Sequence, residues 1–311
     1  MEKKATRDGF GEGIVYLGET NPQVVVLSAD LTESTRAEKF RERFPERFFS
    51  CGIAEQNMIG IASGLASGGK IPFACSFGVF SSGRCWDQIR MSVCYSNFNV
   101  KIVGSHGGIT VGEDGASHQA LEEFALLRVL PRIKIVVPCD AIEAKKATIQ
   151  AAQVFGPLYL RTGREKVPII TKEEDSFVIG KAKIFKEGKD VSIFACGIMV
   201  SQALNAQQIL AQEGISAEVI NIHTLKPLDL ETILNSVKKT KAVVTAEEHQ
   251  LNGGLGSAIA EVLGENFPVP LERIGIKDVF GESGKPLELM EKYGLTHSYI
   301  VDAVHKVLKR K

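Results

Sequence analysis

The sequence lacks several features that would place it in a simple class. Its 37 Lys and Arg residues balance 37 Asp and Glu residues, so it has no excess of the positive charge that is typical of nucleic-acid-binding proteins. No apolar run approaches the ~20 residues of a membrane-spanning helix, and no apolar segment follows the charged N-terminus as in a secretion signal. With 44% hydrophobic residues and no net charge, the chain is also unlike a disordered protein. These absences favour a globular protein of about two domains, without nucleic acid or a membrane as partner.

The cysteines show neither pairing motifs nor metal-ligand spacing. The six residues, Cys51, Cys75, Cys85, Cys94, Cys139 and Cys196, contain no C-x-x-C pair. Scattered cysteines in a chain of this size are more often reduced than paired. The sequence therefore predicts a cytoplasmic protein with no metal site built from cysteine.

Short apolar runs alternate with longer helical patterns along the chain, which in the first half lie at about 5–20, 54–67, 84–97, 119–128 and 141–155. Several runs lack the polar alternation of a half-exposed strand and so predict buried parallel strands, at 24–28, 101–104, 133–137 and 157–160. The pattern breaks over 171–189 and starts again at Val191. We therefore predict an α/β fold with two doubly wound domains. The first, with a mostly parallel sheet, spans 1–170, the linker spans 171–189, and the smaller second domain spans 190–311.

Four polar segments of the first half lie where strands are expected to end, one of them directly after a strand predicted at 71–75. In open α/β sheets, ligands bind at the carboxyl ends of the strands, so these segments are the candidates for a functional site. They are residues 28–35, 51–58, 76–80 and 105–119. The last of them is rich in glycine and carries two histidines and two carboxylates.

Each candidate residue also has an ordinary structural explanation. Glu55 suits the first turn of a helix, where a carboxylate complements the helix dipole. Phe77 and Phe80 suit a hydrophobic core. His106 and His118 suit structural hydrogen bonds, and the glycine-rich loop matches neither the dinucleotide-binding nor the P-loop pattern. Only the joint occurrence of these residues at predicted strand ends indicates a site.

Together, the segments resemble the transketolase family of thiamine diphosphate enzymes. The order and spacing of four motifs carry the resemblance: Ile-Ala-Glu-Gln-Asn-Met at 53–58, Asp-Gln-Ile-Arg-Met at 87–91, Gly-Glu-Asp-Gly-x-x-His at 112–118 and Arg-Thr-x-Arg at 161–164. The resemblance covers nearly the whole chain. It implies a pyrimidine-binding domain followed by a transketolase C-terminal domain.

The resemblance also implies a partner. Transketolases hold Mg²⁺ and the cofactor diphosphate on an N-terminal domain with a Gly-Asp-Gly motif, and this sequence contains no such motif. The chain is therefore similar to the C-terminal subunit of a split transketolase. The N-terminal subunit is then expected to supply the diphosphate and metal site, so this chain is expected to hold no metal itself.

The resemblance assigns the cofactor-binding residues. Glu55 matches the glutamate that hydrogen-bonds N1′ of the aminopyrimidine ring, and is both cofactor-binding and catalytic. Phe77 and Phe80 match aromatics that pack on that ring, and Leu31 matches a residue that supports the bent cofactor. A third aromatic of some family members has no clear match, although Trp86 is a candidate substitute.

The resemblance assigns the substrate-binding residues as well. His106 and His118 match positions that contact sugar hydroxyls and assist proton transfer, and Asp114 matches a carboxylate that binds a donor hydroxyl. The positions that hold the sugar phosphate are matched by Arg7, Ser34 and Arg164. Guanidinium groups suit this task because they pair bidentately with phosphate oxygens. For Arg161 the sequence leaves open a supporting role or a structural ion pair.

The implied reaction is transfer of a two-carbon ketol unit from a ketose phosphate to an aldose phosphate. The implied assembly is an α2β2 heterotetramer in which the β chains meet near the helix that begins at Glu55. Small residues of this helix permit that contact, or alternatively pack against their own sheet. Two other thiamine enzymes remain as alternatives, the β subunit of a 2-oxoacid dehydrogenase E1 component and deoxyxylulose phosphate synthase. A non-catalytic regulatory subunit is the alternative from a different class.

Overall fold

A seven-stranded sheet organises the first half of the chain. The computed structural model describes residues 2–311. The strands of both halves, in chain order, are β1 (Lys3–Ala5), β2 (Val24–Ser28), β3 (Phe48–Ser50), β4 (Ile71–Phe77), β5 (Lys101–Ser105), β6 (Lys134–Val136), β7 (Leu158–Arg161), β8 (Lys166–Pro168), β9 (Lys183–Lys186), β10 (Val191–Ala195), β11 (Ala217–Asn221), β12 (Thr224–Lys226), β13 (Val243–Gln250) and β14 (Leu271–Ile276). The order in the first sheet is β12-β6-β7-β5-β4-β2-β3, and every pair except β12–β6 is parallel.

Helices separate the strands in the pattern expected of a doubly wound fold. The α-helices are α1 (Thr6–Thr20), α2 (Thr32–Thr35), α3 (Glu38–Arg43), α4 (Glu55–Ser67), α5 (Trp86–Gln88), α6 (Glu123–Arg128), α7 (Ala141–Gln153), α8 (Met199–Gln212), α9 (Leu230–Thr240), α10 (Leu255–Asn266), α11 (Pro286–Lys292) and α12 (His297–Leu308). Wider π-helical turns flank α5, at Phe80–Arg84 and Ile89–Tyr95. Among the described residues, no helix combines the length and the apolar character needed to cross a membrane.

A second sheet of five strands has the order β14-β13-β10-β11-β9. Strands β14, β13, β10 and β11 are parallel, and β9 runs antiparallel to β11. Strand β9 lies inside the predicted linker 171–189, while β12 from the second half adds an edge strand to the first sheet. The predicted α/β fold with two sheet-containing domains is confirmed, and one strand of the second half, β12, completes the edge of the first sheet.

Helices α1 and α7 pack closely on one face of the first sheet. Phe10 and Ile14 of α1 are fully buried in the same apolar cluster as Val24 and Val26 of β2. A side chain at Gly9 of α1 would place its Cβ only 1.9 Å from a backbone oxygen of α7, so only glycine fits that crossing.

The opposite face carries a core that continues into the second domain. Met58 and Ile59 of α4 belong to the same buried cluster as Phe194 of β10 and Ile259 of α10. All six cysteines are free, and five of them are buried. Because the two sheets share this apolar core, the loops at the strand ends of the first domain are held against the second domain.

Candidate active site

Three strand ends of the first sheet bring the predicted site residues to one edge. Phe77 ends β4 and lies opposite Ser105, which ends β5. Ser28 ends β2 and lies opposite Cys75 of β4. Because these three strands are parallel neighbours, the loops that follow them leave the sheet on the same side.

Glu55 opens helix α4 with its carboxylate inside the protein. The residue is only 2% exposed. Arg84 Nη1 donates a hydrogen bond of 2.9 Å to Oε2, and the Ser76 hydroxyl lies 3.5 Å from Oε1. A helix start alone needs no buried charge, so the position of this carboxylate indicates a use beyond complementing the helix dipole.

Aromatic rings form a row next to this carboxylate. The Phe77 and Phe80 rings are stacked with centroids 6.1 Å apart, and the His106 ring stacks on Phe77 at 3.9 Å. His118 meets Phe80 edge-on at 5.4 Å and Phe77 at 6.0 Å. The row therefore joins the two predicted histidines to the two predicted phenylalanines, and the core explanation alone does not account for it.

The loop after β5 holds its shape through the second domain. His106 adopts a left-handed backbone conformation with φ of 56°, which is uncommon outside glycine. At Gly108, φ is 86° and a Cβ would lie 2.1 Å from Cδ of Glu248 in β13. The Thr110 amide donates a 2.6 Å hydrogen bond to Oε1 of Glu248. The second domain thus fixes the loop that carries His106.

The electrostatics around His106 keep its ring neutral. Ser105 Oγ lies 2.9 Å from Nδ1, and Arg7 Nη1 lies 3.5 Å from Nε2. Burial, followed by the charges of Arg7 and Arg164, lowers the pKa of His106 to about 3. Because a guanidinium can only donate, Nε2 is the unprotonated nitrogen and offers its lone pair toward Arg7.

Arg7 has unused capacity to bind an anion. Its Nη1 donates to the Ser34 carbonyl oxygen at 2.9 Å, while its Nε is buried without a hydrogen-bond partner. Within residues 2–311 no carboxylate forms an ion pair with Arg7, whereas its neighbour Arg36 pairs with Asp8 at 2.6 Å. Burial and the nearby Arg36 charge lower the pKa of Arg7. A doubly charged phosphate group would satisfy both the geometry and the charge of this side chain.

The remaining predicted residues lie around this centre with weaker links. Arg164 Nη1 donates to the Val111 carbonyl at 3.1 Å and pairs with Asp114 at 3.3 Å, so part of each charge is already used. The Leu31 amide donates to Ser28 Oγ at 3.3 Å, and no direct contact joins Leu31 to Glu55 among the described hydrogen bonds.

Arg161 has a structural place instead. It is 5% exposed, lies 3.0 Å from Glu123 and donates to the backbone oxygen of Glu248 at 2.9 Å. Of the two roles that the sequence left open, the structure shows a buried ion pair between the domains.

Sequence reasoning missed Arg84 and Ser76, the two side chains nearest the Glu55 carboxylate. Arg84 also places its guanidinium carbon 4.5 Å from the centre of the Phe80 ring. The only signal for Arg84 was a basic residue four positions after Phe80. That signal gains meaning once the Phe80–Arg84 turn is known to be helical.

Comparisons with known protein families agree with this geometry. Residues 2–169 match the pyrimidine-binding domain of transketolase, and residues 180–300 match the transketolase C-terminal domain. The chain belongs to the transketolase family.

Similar transketolase proteins span nearly the same length. The chain is 48% identical to a putative transketolase C-terminal section of Methanocaldococcus jannaschii, covering 99% of this chain and 97% of that protein. It is 45% identical to the 6-deoxy-6-sulfo-D-fructose transketolase subunit SqwH of Clostridium sp., covering 100% and 97%. A solved structure described as a split gene transketolase, inactive beta4 tetramer, matches with a TM-score of 0.93 and 50% identity over 99% of both chains.

The Glu55 pocket suits the pyrimidine half of the cofactor that transketolases use. The flat guanidinium of Arg84 touches both the Glu55 carboxylate and the face of Phe80, so a flat hydrogen-bonding group fits at this point. Glu55 would hold a ring nitrogen, and Phe80 would support the ring face. Among residues 2–311, no three His, Cys, Asp or Glu side chains are grouped to hold a metal ion.

Proposed function

We propose that this chain, with an N-terminal partner subunit, is a thiamine diphosphate-dependent transketolase that transfers a two-carbon ketol unit from a ketose phosphate to an aldose phosphate. One observation carries the proposal. A row of contacting side chains joins the buried carboxylate to a guanidinium that can bind phosphate: Glu55, Arg84, Phe80, Phe77, His106 and Arg7. Ketol transfer from a sugar phosphate needs a cofactor site at one end of such a row and a phosphate site at the other.

The residues near Glu55 would prepare the cofactor. Thiamine diphosphate supplies the nucleophilic carbon and the electron sink that cleavage of a carbon–carbon bond beside a carbonyl requires. Glu55 would share a proton with N1′ of the aminopyrimidine, and its burial would keep water from competing for that proton. Phe80 and Phe77 would provide an apolar wall against the ring.

The residues around Arg7 would hold and orient the sugar. The neutral Nε2 of His106 would accept a hydrogen bond from a sugar hydroxyl, and His118 would contact a second hydroxyl beside the aromatic row. Arg7 and Ser34, with Arg164, would hold the phosphate. Because Asp114 already pairs with Arg164, a donor hydroxyl that binds Asp114 would have to share that carboxylate.

The anionic group at the far end of the sugar, phosphate or sulfonate, is the part of the substrate that the donor assays must identify. The similar SqwH protein is named for a sulfonated sugar, 6-deoxy-6-sulfo-D-fructose. A guanidinium binds sulfonate as well as phosphate, but a phosphate carries more negative charge at neutral pH. The unpaired Arg7 charge favours phosphate as the group bound by this chain.

The diphosphate and Mg²⁺ would be held by the N-terminal subunit in an α2β2 assembly. Helix α4 supports a contact between β chains. Gly60 and Gly64 are exposed with open space around them beside the exposed Ile61, whereas Ala62 and Ser63 face their own sheet. The solved relative described as an inactive beta4 tetramer is consistent with a need for a partner. The cytoplasmic location remains a prediction.

Ketol transfer from xylulose 5-phosphate to ribose 5-phosphate tests the proposal. The chain is assayed alone and with the N-terminal subunit from the same organism, in the presence of Mg²⁺ and thiamine diphosphate. Activity only in the mixture would support the split enzyme. If the mixture transfers no ketol unit but oxidises a 2-oxoacid with an artificial electron acceptor, the chain is an E1 β subunit. If the mixture does neither, a non-catalytic subunit is favoured.

A panel of donors then defines the substrate. Fructose 6-phosphate, sedoheptulose 7-phosphate and 6-deoxy-6-sulfo-D-fructose are compared by kcat/KM in the same mixture. A preference for the sulfonated donor would contradict our assignment of phosphate to Arg7.

A further inference from the structure

Arg84 makes two contacts that place its guanidinium in the centre of the Glu55 pocket. Its Nη1 donates to Oε2 of Glu55 at 2.9 Å, and its guanidinium carbon lies 4.5 Å from the centre of the Phe80 ring. The Glu55 side chain is 2% exposed, while the Arg84 side chain is 48% exposed. Arg84 therefore covers the buried carboxylate from the solvent side.

These two contacts are those that the proposed function requires of the cofactor's aminopyrimidine ring. A guanidinium is planar and presents N–H donors along its edge. An aminopyrimidine is also planar, and it would bond the same carboxylate with its edge and cover Phe80 with its face. Both groups cannot occupy the Phe80 face and the Glu55 carboxylate at the same time.

We propose that the Arg84 guanidinium occupies the aminopyrimidine site of the cofactor-free chain. It fills the Glu55 pocket and moves out when the cofactor enters. The proposal rests on the proposed function. It assigns to Arg84 a positioning role, in which the residue controls access to Glu55 and takes no part in the chemistry.

The local structure lets the Arg84 side chain move while its backbone stays in place. Arg84 ends the π-helical turn that begins at Phe80, so both residues lie on one short element. The Gln56 side-chain amide donates a 3.1 Å hydrogen bond to the Arg84 backbone oxygen and anchors it to α4. The preceding Gly83 has open space around it. A rotation of the long, half-exposed side chain is therefore enough to open the pocket.

A cation at this place has a physical reason. A buried carboxylate without a partner costs far more than an exposed one, so the cofactor-free chain gains stability by covering Glu55 with a positive charge. The cofactor must then replace both Arg84 contacts, so its apparent affinity is its intrinsic affinity multiplied by the fraction of time that the pocket is open. A ligand that offers only one of the two contacts would not displace Arg84.

The first test compares cofactor affinity among variants of the full chain bound to its N-terminal subunit. Arg84→Met removes the guanidinium and keeps the apolar stem, and Arg84→Lys keeps the charge and loses the planar group. Arg43→Met is the matched control, because Arg43 forms an exposed ion pair with Glu19. Binding of thiamine diphosphate with Mg²⁺ is measured by calorimetry, which does not depend on turnover.

We expect Arg84→Met to lower the dissociation constant about tenfold, Arg84→Lys to lower it about threefold, and the control to leave it unchanged. An unchanged or higher dissociation constant in Arg84→Met would mean that Arg84 does not compete with the cofactor, and would overturn the proposal. If no variant and not even the wild-type complex binds thiamine diphosphate, the proposed function is wrong and this inference falls with it. Should Arg84→Met not fold, Arg84→Lys decides alone.

The second test uses the cofactor-free chain and its single tryptophan. Trp86 lies two residues after Arg84, and its indole nitrogen donates to the Leu126 carbonyl at 2.7 Å. Thermal unfolding is followed for Arg84→Met, Glu55→Gln and the double variant. We expect Arg84→Met to lower the melting temperature and Glu55→Gln to restore most of the loss, because no unpaired carboxylate then remains. Additive effects of the two changes would show that the two side chains are not coupled, and would overturn the proposal.

Discussion

Two groups of buried charge lie at the same end of the first sheet, and they differ in what completes them. The interdomain cluster consists of Glu123, Arg161, Glu247, Glu248 and His249. It finds most of its partners within the chain, although the Glu123 oxygens have no hydrogen bond and only the Arg161 charge at 3.0 Å beside them. Oε2 and Oε1 of Glu247 accept the Leu255 and Gly256 amides at 2.6 and 2.8 Å, at the start of α10. The Glu55 site consists of Glu55, Arg84, His106 and Arg7. Its solvent side is covered only by the half-exposed Arg84, and Nε of Arg7 has no hydrogen-bond partner.

The two histidines make the difference clearest. Burial is the main cause that lowers the pKa of both His106 and His249 to about 3. His249 donates from Nδ1 to the Gln250 carbonyl at 2.7 Å, and its Nε2 accepts the Phe124 amide at 3.2 Å. His106 has the Ser105 hydroxyl 2.9 Å from its Nδ1, and its Nε2 has only the Arg7 guanidinium, at 3.5 Å. A lowered pKa is therefore common to both histidines, and they differ in the partner of Nε2, which is a backbone amide for His249 and a side-chain guanidinium for His106.

The largest expected effect follows from replacing the carboxylate of the Glu55 site. Glu55→Gln keeps the size of the side chain but cannot share a proton with a pyrimidine nitrogen in the same way. We expect kcat for ketol transfer in the assembled enzyme to fall by about 10²–10⁴.

Glu247→Gln is the matched control from the interdomain cluster. Its amide oxygen can still accept one of the α10 amides, so we expect kcat within about twofold of wild type and a modest loss of stability. Equal activity in Glu55→Gln and the wild-type enzyme would remove Glu55 from the catalytic residues.

The second prediction addresses stability instead of activity. Arg161→Met leaves Glu123 and Glu248 buried without their cation, so we expect a loss of about 3–5 kcal/mol in the free energy of unfolding. Urea unfolding of the cofactor-free chain measures it. Arg41→Met, which breaks the exposed pair with Glu33, is expected to cost at most about 1 kcal/mol. Similar losses in the two variants would show that the interdomain cluster does not hold the domains together.

The sequence predicted the candidate site residues better than the side chains that cover the Glu55 carboxylate, Arg84 and Ser76. Phe77, Phe80, His106 and His118 follow the ends of β4 and β5, which apolar runs predict, whereas Glu55 follows β3, which the sequence did not predict. Direct contacts link these residues, apart from Glu55, which is reached through Arg84. The roles that the resemblance assigns to them, and to Leu31, Ser34 and Asp114, stay predictions.

The fold was predictable where hydrophobic periodicity is strong. Strands β2, β5, β6 and β7 and helices α1, α4 and α7 lie within about two residues of their expected positions. The short strands β1, β3, β8, β9 and β12 were missed, because three or four residues carry no readable period. The 84–97 segment was expected as one helix, but it forms α5 between two π-helical turns, and side-chain spacing does not distinguish the wider turn.

The third prediction concerns the far end of the site. Arg7→Gln removes a guanidinium whose Nε is buried without a partner. We expect KM for a phosphorylated donor to rise about 10- to 100-fold with kcat little changed, since charge-assisted hydrogen bonds of this kind contribute about 1.5–3 kcal/mol.

The matched control for Arg7→Gln is Arg36→Gln, because Arg36 already pairs with Asp8. A non-phosphorylated donor such as hydroxypyruvate should show the same KM with wild type and Arg7→Gln. If KM for both donors rises equally in Arg7→Gln, the arginine does not act through phosphate.

The smallest expected effect is the acid sensitivity that separates the two histidines. Because each folded-state pKa lies below the unfolded value of 6.5, the folded chain binds fewer protons, and stability falls as pH falls from 6.5 toward 3. Each histidine contributes at most about 1.4 kcal/mol per pH unit. Buried Glu123, whose burial raises its pKa to about 7, acts in the opposite direction, so only differences between variants are informative.

His106→Asn and His249→Phe should both reduce the loss of stability in acid, but their effects at pH 7 should differ. Asn tolerates the left-handed backbone at position 106, so we expect a change within about 1 kcal/mol there. His249→Phe keeps the stacking on Phe124 but leaves that residue's amide without its acceptor, which should cost about 2 kcal/mol. Urea unfolding at pH 7 and pH 5 measures both. A large loss at pH 7 in His106→Asn would mean that this ring supports the fold as His249 does, and the contrast between the two clusters would disappear.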